Sequence, residues 1–211
     1  MSKDLFDIAY KKNGLVFGNT PTRELQEYLD QYPTIGIVLD LGCGEGRDTL
    51  SLLQRGLTVI AVDQSTTGLQ KLVSRLETMP KISARLHTVE VDLLDWNWPV
   101  NVFDIVVGVT ILDHLNSDEI RVVTQHILSA CKQGAIVFLQ VHTIDDPAIT
   151  GKGMASEFSG AIKHYFQYNE LLHLFDSYLR VLKYEEREEW DFDHGLPHKH
   201  GFAILLGKVN K

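Results

Sequence analysis

Residues 38–49, VLDLGCGEGRDT, set three glycines at alternate positions between an apolar, β-rich run and a run of helical character. Glycine reaches backbone conformations closed to other residues and lets the chain come close to a ligand. A strand that turns through glycines into a helix lies where open α/β sheets bind their ligands, at the carboxyl edge. Gly42, Gly44 and Gly46 are spaced G-x-G-x-G, whereas dinucleotide binders carry G-x-G-x-x-G. A tight turn without a ligand would use the same residues, so the flanking sequence has to decide.

Outward from this turn, apolar runs over 35–40, 58–63, 86–91, 103–109 and 135–141 alternate with helix-like segments over 47–55, 65–79 and 117–131. That alternation predicts a parallel sheet with helices on both faces. Asn116 and Glu119 stand at capping-box spacing before the third helix, and Gly134 is read as its stop. Thr20-Pro21 is read as the start of an earlier helix running to about Asp30, after an irregular arm over 11–19. The connection over 142–167 is long and rich in Gly, Ser and Asp, as functional loops often are. A helix over 169–177 then precedes two extended runs, 180–190 and 200–208, joined by the turn-like DFDHGLP. Two strands joined without a helix form a hairpin, so the last strand should be antiparallel.

Acids close successive strands. Asp63 ends the second strand about 20 residues after the glycines, where an acid reaches ribose hydroxyls in nucleoside-binding folds. Asp92 ends the third, where it can accept from an adenine amine. With Asp40 these carboxylates suit a cationic, phosphate-free nucleoside better than a pyrophosphate. Each acid taken singly also reads as a cap or turn residue.

The segments VLDLGCGEGRDTLSLLQRGLTVIAVDQS, EVDLLD and FDIVVGVTILDHL, in this order, resemble the motifs of class I S-adenosylmethionine-dependent methyltransferases. Within that class, GCGEGRDTLSLLQRGLTVIAVD, FQYNELLHLFDSYLRVLKYEE and HGFAILLGK are similar to the tellurite-resistance and thiopurine-like branch. The resemblance implies a Rossmann-like α/β fold: a seven-stranded, mostly parallel sheet of order 3-2-1-4-5-7-6, its last strand antiparallel. It implies S-adenosylmethionine as donor and S-adenosylhomocysteine as product. Asp40, Gly42, Cys43 and Gly44 would line the methionine part, Asp63 and Gln64 the ribose, and Asp92 and Leu93 the adenine. Val109 and Thr110 would touch the cofactor after the fourth strand. Arg47 would pair with the cofactor carboxylate, or is a surface cation.

Methyl transfer from a sulfonium is an in-line displacement at an activated carbon, so positioning supplies much of the acceleration. No obligatory catalytic residue is therefore expected. The loops facing the cofactor carry His114, His142, His194, His198 and His200 as candidate acceptor-site residues. Solvated loop histidines are the alternative, and no metal site is expected, because no cysteine or second carboxylate pattern accompanies them. The run EEREEWDFD reads as a solvated strand face, and Trp96 and Trp98 as packing residues.

Composition bounds the rest. At 211 residues and 44% apolar, the chain suits a single domain over 1–211, with arm and helix over 1–33 covering the cofactor site and a sheet core over 34–211. The net charge of −8 disfavours nucleic acid and anionic membranes, and favours a small-molecule acceptor. No run approaches the roughly 18 apolar residues of a membrane-spanning helix, and two cysteines suit a reducing, cytoplasmic setting. A monomer or homodimer is expected. A nicotinamide-dependent oxidoreductase with a variant turn, or a non-catalytic cofactor-binding module, are the competing readings.

Overall fold

Ile37–Leu41 (β1) lies third in a seven-stranded sheet in the computed structural model, which describes residues 2–32, 34–147, 149, 161–192 and 196–210. The other strands are Thr58–Asp63 (β2), Leu86–Glu90 (β3), Phe103–Val109 (β4), Cys131–His142 (β5), Leu179–Asp191 (β6) and His198–Val209 (β7). Their order is β3-β2-β1-β4-β5-β7-β6, as the resemblance implies. β1 to β5 are paired in parallel, and β7 runs antiparallel to both β5 and β6. The helices are Ser2–Tyr10 (α1), Arg23–Gln31 (α2), Arg47–Gln54 (α3), Thr66–Arg75 (α4), Pro80–Ser83 (α5), Ser117–Ala130 (α6) and Glu170–Phe175 (α7).

The central strands are apolar over most of their length because helices bury both of their faces. With a period of two, Val38 and Val107 face α2, α3 and α4, in a core with Leu25, Leu52 and Leu72. Their neighbours Leu39 and Val106 face α6 and α7, in a core with Val123, Ile127 and Phe175. Asn116 caps α6 as read: its side chain accepts from the Asp118 and Glu119 amides, while Glu119 accepts from the Asn116 amide.

Several boundaries differ from the sequence reading. α1 is an additional helix ahead of the arm. α2 starts at Arg23 with Thr22 in the cap position, because the Thr22 hydroxyl donates to Asp48 (2.8 Å) and pins the helix to α3. The helix read over 65–79 stops at Arg75, and Pro80 opens a separate turn, since proline fits only a first helical position. Gly134 does not stop α6. It lies inside β5 at φ +74°, where the register against β4 shifts between Phe103 and Ile105, and β5 begins at Cys131. The ends of the 142–167 connection are drawn together by a Thr143–Phe166 bridge and by the Phe166 amide donating to the His142 carbonyl (2.9 Å).

Candidate active site

The turn after β1 is pulled over the end of β2. The Gly42 and Cys43 amides both donate to the Val62 carbonyl (2.8 and 3.1 Å), and the Gly44 amide donates to Asp63 Oδ2 (2.8 Å). Gly42 and Gly44 take φ of +65° and +52°, the left-handed region that favours glycine. Space demands glycine as well: a Cβ on Gly42 would lie 2.6 Å from the Ile111 side chain, and one on Gly44 would lie 2.5 Å from the Tyr10 hydroxyl.

Behind this turn opens a cavity of about 560 Å³, in the range of small-molecule sites. Asp40, Gly42, Cys43, Gly44, Arg47, Asp63, Gln64, Asp92, Leu93, Val109 and Thr110 all line it. The parallel strands gather these residues, since their carboxyl ends share one edge. Thr110 holds φ +55°, an uncommon conformation for a β-branched residue, and donates its hydroxyl to the Val109 carbonyl (2.8 Å). Strain of this kind concentrates at functional sites.

The three acids have distinct surroundings. Asp40 is buried and accepts from the Thr49 hydroxyl at 2.5 Å. Burial, reinforced by the nearby Asp48 carboxylate, pushes its carboxyl up to about 7. Asp63 accepts the Gly44 and Ser65 amides, one on each oxygen (2.8 Å each). Burial still raises its carboxyl, and those two amides oppose the shift. Asp92 is exposed and accepts the Leu94 amide on Oδ1 (3.0 Å). Arg47 is no simple surface cation, since it donates to the Thr22 hydroxyl (3.1 Å) on the cavity wall.

The N-terminal segment forms another wall. Phe6, Tyr10 and Phe17 cluster with ring centroids 6.1 to 6.5 Å apart, and Phe6 meets the His114 ring edge-on at 5.0 Å. Asp7 of α1 accepts from the Ser65 hydroxyl at the start of α4 (2.5 Å). The arm is clipped down by Lys71 Nζ, which donates to Glu45 (2.7 Å) and to the Gly14 and Lys12 carbonyls (2.7 and 3.0 Å). Lys71→Ala removes all three bonds at once. Trypsin should then cut at Lys11 and Lys12 several times faster, while the midpoint of thermal unfolding changes little; an unchanged cleavage rate would show that the clip does not hold the arm.

Of the candidate histidines, His114, His142 and His200 line the cavity. His198 is buried beside it and outside the lining, its ring 4.5 Å from that of His200, and its Nδ1 donates to the Leu196 carbonyl (2.7 Å). His194 lies outside the described residues. His114 Nδ1 is 3.0 Å from the Ala161 carbonyl, which can only accept, so Nδ1 carries the proton. Burial lowers the His114 pKa. His142 Nδ1 meets the fully buried Asp113 carboxylate at 2.6 Å, and the His142 amide donates to the same group (3.1 Å). His200 Nδ1 meets Asp146 Oδ2 at 2.8 Å, and burial, ahead of that bond, lowers its pKa.

Sequence reasoning missed Asp113 and Asp146, which orient two of the histidines. Asp113 stands within the quoted motif FDIVVGVTILDHL, and a charged residue inside an apolar run was its only signal. The EEREEWDFD face is more than a solvated edge, for Glu189, Trp190, Asp191 and Phe192 reach the cavity. Trp96 and Trp98 pack as expected, with Trp98 Nε1 donating to the Leu93 carbonyl (2.9 Å).

A family model described as a methyltransferase domain matches residues 38–134. TehB from Haemophilus influenzae superposes with a TM-score of 0.74 at 20% identity, over 99% of this chain and 67% of that one. The N-methyltransferase NodS from Bradyrhizobium japonicum WM9, solved with S-adenosylhomocysteine, gives 0.74 at 10% identity over 100% and 99% of the two chains. A protein solved in connection with conversion of a disulfide bond into a thioacetal group during echinomycin biosynthesis gives 0.73 at 17% identity, over 100% and 94%. The chain thus has the fold of class I methyltransferases, and its residues 38–134 match the model of the methyltransferase domain.

Proposed function

We propose that the protein transfers a methyl group from S-adenosylmethionine to a small-molecule acceptor, a soft nucleophile such as a thiol or a tellurium or selenium oxyanion. The observation that carries the donor is the meeting of Asp40, Asp63 and Asp92 with the glycine turn on one cavity. The residues fit the group: the left-handed Gly42 and Gly44 bring backbone to the cavity wall, and three acids that suit a cation with ribose and adenine donors line the same cavity. When bound, the sulfonium supplies an activated methyl carbon. Asp63 would accept from the ribose hydroxyls, Asp92 from the adenine amine, and Asp40 from the methionine ammonium.

The acceptor side is walled by His142, His200, Lys163 and the aromatic residues Phe6 and Phe202. Such a wall holds a small anion or thiolate by charge and shape while excluding water, so orientation does most of the work. The arm and α2 cover the cofactor in this reading. The resemblance to the tellurite-resistance branch, and the sulfur chemistry named for one neighbour, support a soft acceptor. Calorimetry with S-adenosylhomocysteine and with NADH tests the donor, and release of S-adenosylhomocysteine across thiols, phenols, amines and chalcogen oxyanions tests the acceptor. NADH binding without S-adenosylhomocysteine binding would sink the reading.

Asp40 adds a pH signature. Its carboxyl, held at about 7 in the folded protein, is mostly neutral below that pH. A bound ammonium favours the carboxylate, so binding releases a proton. S-adenosylhomocysteine affinity should fall by about tenfold per pH unit below 7 and level off above it. The unfolded protein has its Asp40 near the ordinary value of 3.8, so the folded state binds the extra proton between 3.8 and about 7. Through that window Asp40 makes stability decrease as pH rises. Asp40→Asn should flatten the pH dependence of binding; a slope unchanged by the substitution would assign it elsewhere.

A further inference from the structure

We propose that His142, Asp146 and His200 form a binding site for a divalent transition-metal ion of the zinc or ferrous class, open on one side to the cavity. Donor atoms of the three residues lie within 4.8 Å of one another. Their side chains are 12%, 2% and 4% exposed, so the cluster is no chance gathering on a wet surface. Two imidazoles and a carboxylate are the set that catalytic zinc and non-haem iron sites use, with the remaining positions left for substrate.

The fold assembles this set on purpose-built geometry. His142 closes β5, His200 lies near the start of β7, and the two strands are neighbours with rings 4.8 Å apart. Asp146 arrives from the turn after β5, whose amide hydrogen-bonds back to the Thr143 carbonyl (3.0 Å). That turn presses against Gly201, where a Cβ would lie 2.7 Å from the Asp146 amide nitrogen and 2.7 Å from Thr143 Oγ1. Only the missing side chain at 201 lets Asp146 reach His200, at 2.8 Å.

Behind the ring of His142 stands Asp113, fully buried and 2.6 Å from Nδ1. A carboxylate there fixes the Nδ1–H tautomer and turns the lone pair of Nε2 away from it, as in carboxylate–histidine–metal triads. Metal bonds of about 2.0–2.1 Å bring tetrahedral donors to about 3.3 Å apart, so the cluster needs to contract by about 1.5 Å at most. His142 and His200 both belong to the cavity wall, which leaves the open coordination side facing the acceptor. On the methyltransferase reading above, an ion there would bind a thiol or oxyanion acceptor in its deprotonated form and hold it in line with the methyl group. Hard cations such as Mg²⁺ prefer all-oxygen sites and should be rejected.

The test uses the untagged full-length chain after chelator treatment. Co²⁺ is titrated by its visible ligand-field absorption, and Zn²⁺ and Mg²⁺ by calorimetry. Expected is one equivalent of Co²⁺ or Zn²⁺ bound in the micromolar range or tighter, with Mg²⁺ at least about 100-fold weaker. His200→Ala and Asp146→Asn should each weaken Co²⁺ binding at least about tenfold, while the exposed His173→Ala leaves it unchanged. Absence of stoichiometric binding by the wild-type chain, or equal affinity in Asp146→Asn and His200→Ala, would show two independent histidine–aspartate hydrogen-bonded pairs and overturn the site. If His200→Ala does not fold, the wild-type Co²⁺ spectrum and Asp146→Asn decide. S-adenosylhomocysteine binding is measured on the same samples: its presence without metal binding removes the metal site alone, and metal binding without it removes the donor assignment alone.

Discussion

Asp63→Ala should weaken S-adenosylhomocysteine binding by about 100-fold or more, read by calorimetry near pH 7.5. A charge-assisted hydrogen bond contributes about 1.5–3 kcal/mol, and in the proposed reading the Asp63 carboxylate accepts from both ribose hydroxyls. Each of its oxygens already takes one backbone amide, from Gly44 and from Ser65, and retains a further lone pair. The substitution therefore acts twice, removing the proposed ribose contact and freeing the glycine turn that the carboxylate ties to β2. Asp63→Asn separates the two effects in part, because its amide oxygen still accepts one of the two backbone amides while the charge is gone and its NH2 cannot accept the other. The asparagine variant should lose less thermal stability than the alanine variant and still lose at least about tenfold in affinity. A change below threefold in both variants would mean that the ribose is not held here.

This dependence follows from what was legible in the sequence. The strands β1, β2 and β4 are apolar on both faces, and their alternation with helices defines the sheet almost residue by residue. Asp63 could be found because strand and glycine turn fix its place locally. The neighbours of His142 and His200 could not. Asp113 meets a histidine 29 residues away, and Asp146 meets one 54 residues away, through a turn that depends on Gly201 lacking a side chain. Such contacts leave no periodic trace. Helix α1 escaped notice because nine residues mixing acids with apolar positions are marginal by local propensity, and tertiary contacts such as Asp7 with Ser65 hold it. The bulge at Gly134 was misread for a related reason, as a glycine after a helix signals a stop and a glycine in a strand signals a bulge, and only pairing with β4 distinguishes them.

Long-range pairing also underlies the second large effect, Arg187→Met. Arg187 on β6 is 18% exposed and holds three carboxylates: Glu24 of α2 at 2.5 Å, Glu189 at 2.7 Å and Glu185 at 2.9 Å. Glu24 is 6% exposed, and although burial pushes its carboxyl up, the bonds from Arg23 and Arg187 hold it below the ordinary value. Methionine keeps the stem's packing and removes the charge, leaving a buried carboxylate with Arg23 alone and two like charges beside it. Breaking a buried pair from one side costs about 3–5 kcal/mol, and the remaining Arg23 and partial hydration reduce this to about 2 kcal/mol here. For a chain of this size that is a fall of about 4–8 °C in Tm. The sign with pH is a sharper check. In the wild type, Glu24 contributes stability above its unfolded value of 4.5, and this is lost as pH falls through the lowered folded value. In the variant the Glu24 carboxyl keeps only Arg23 of its two cations and its pKa rises, so protonation relieves it, and the gap between variant and wild type should narrow from pH 7 to pH 4.5. Because Glu24 and Glu189 also line the cavity, S-adenosylhomocysteine affinity should drop together with Tm. A gap that stays constant with pH would mean that Arg187 acts through packing, with its charge uninvolved.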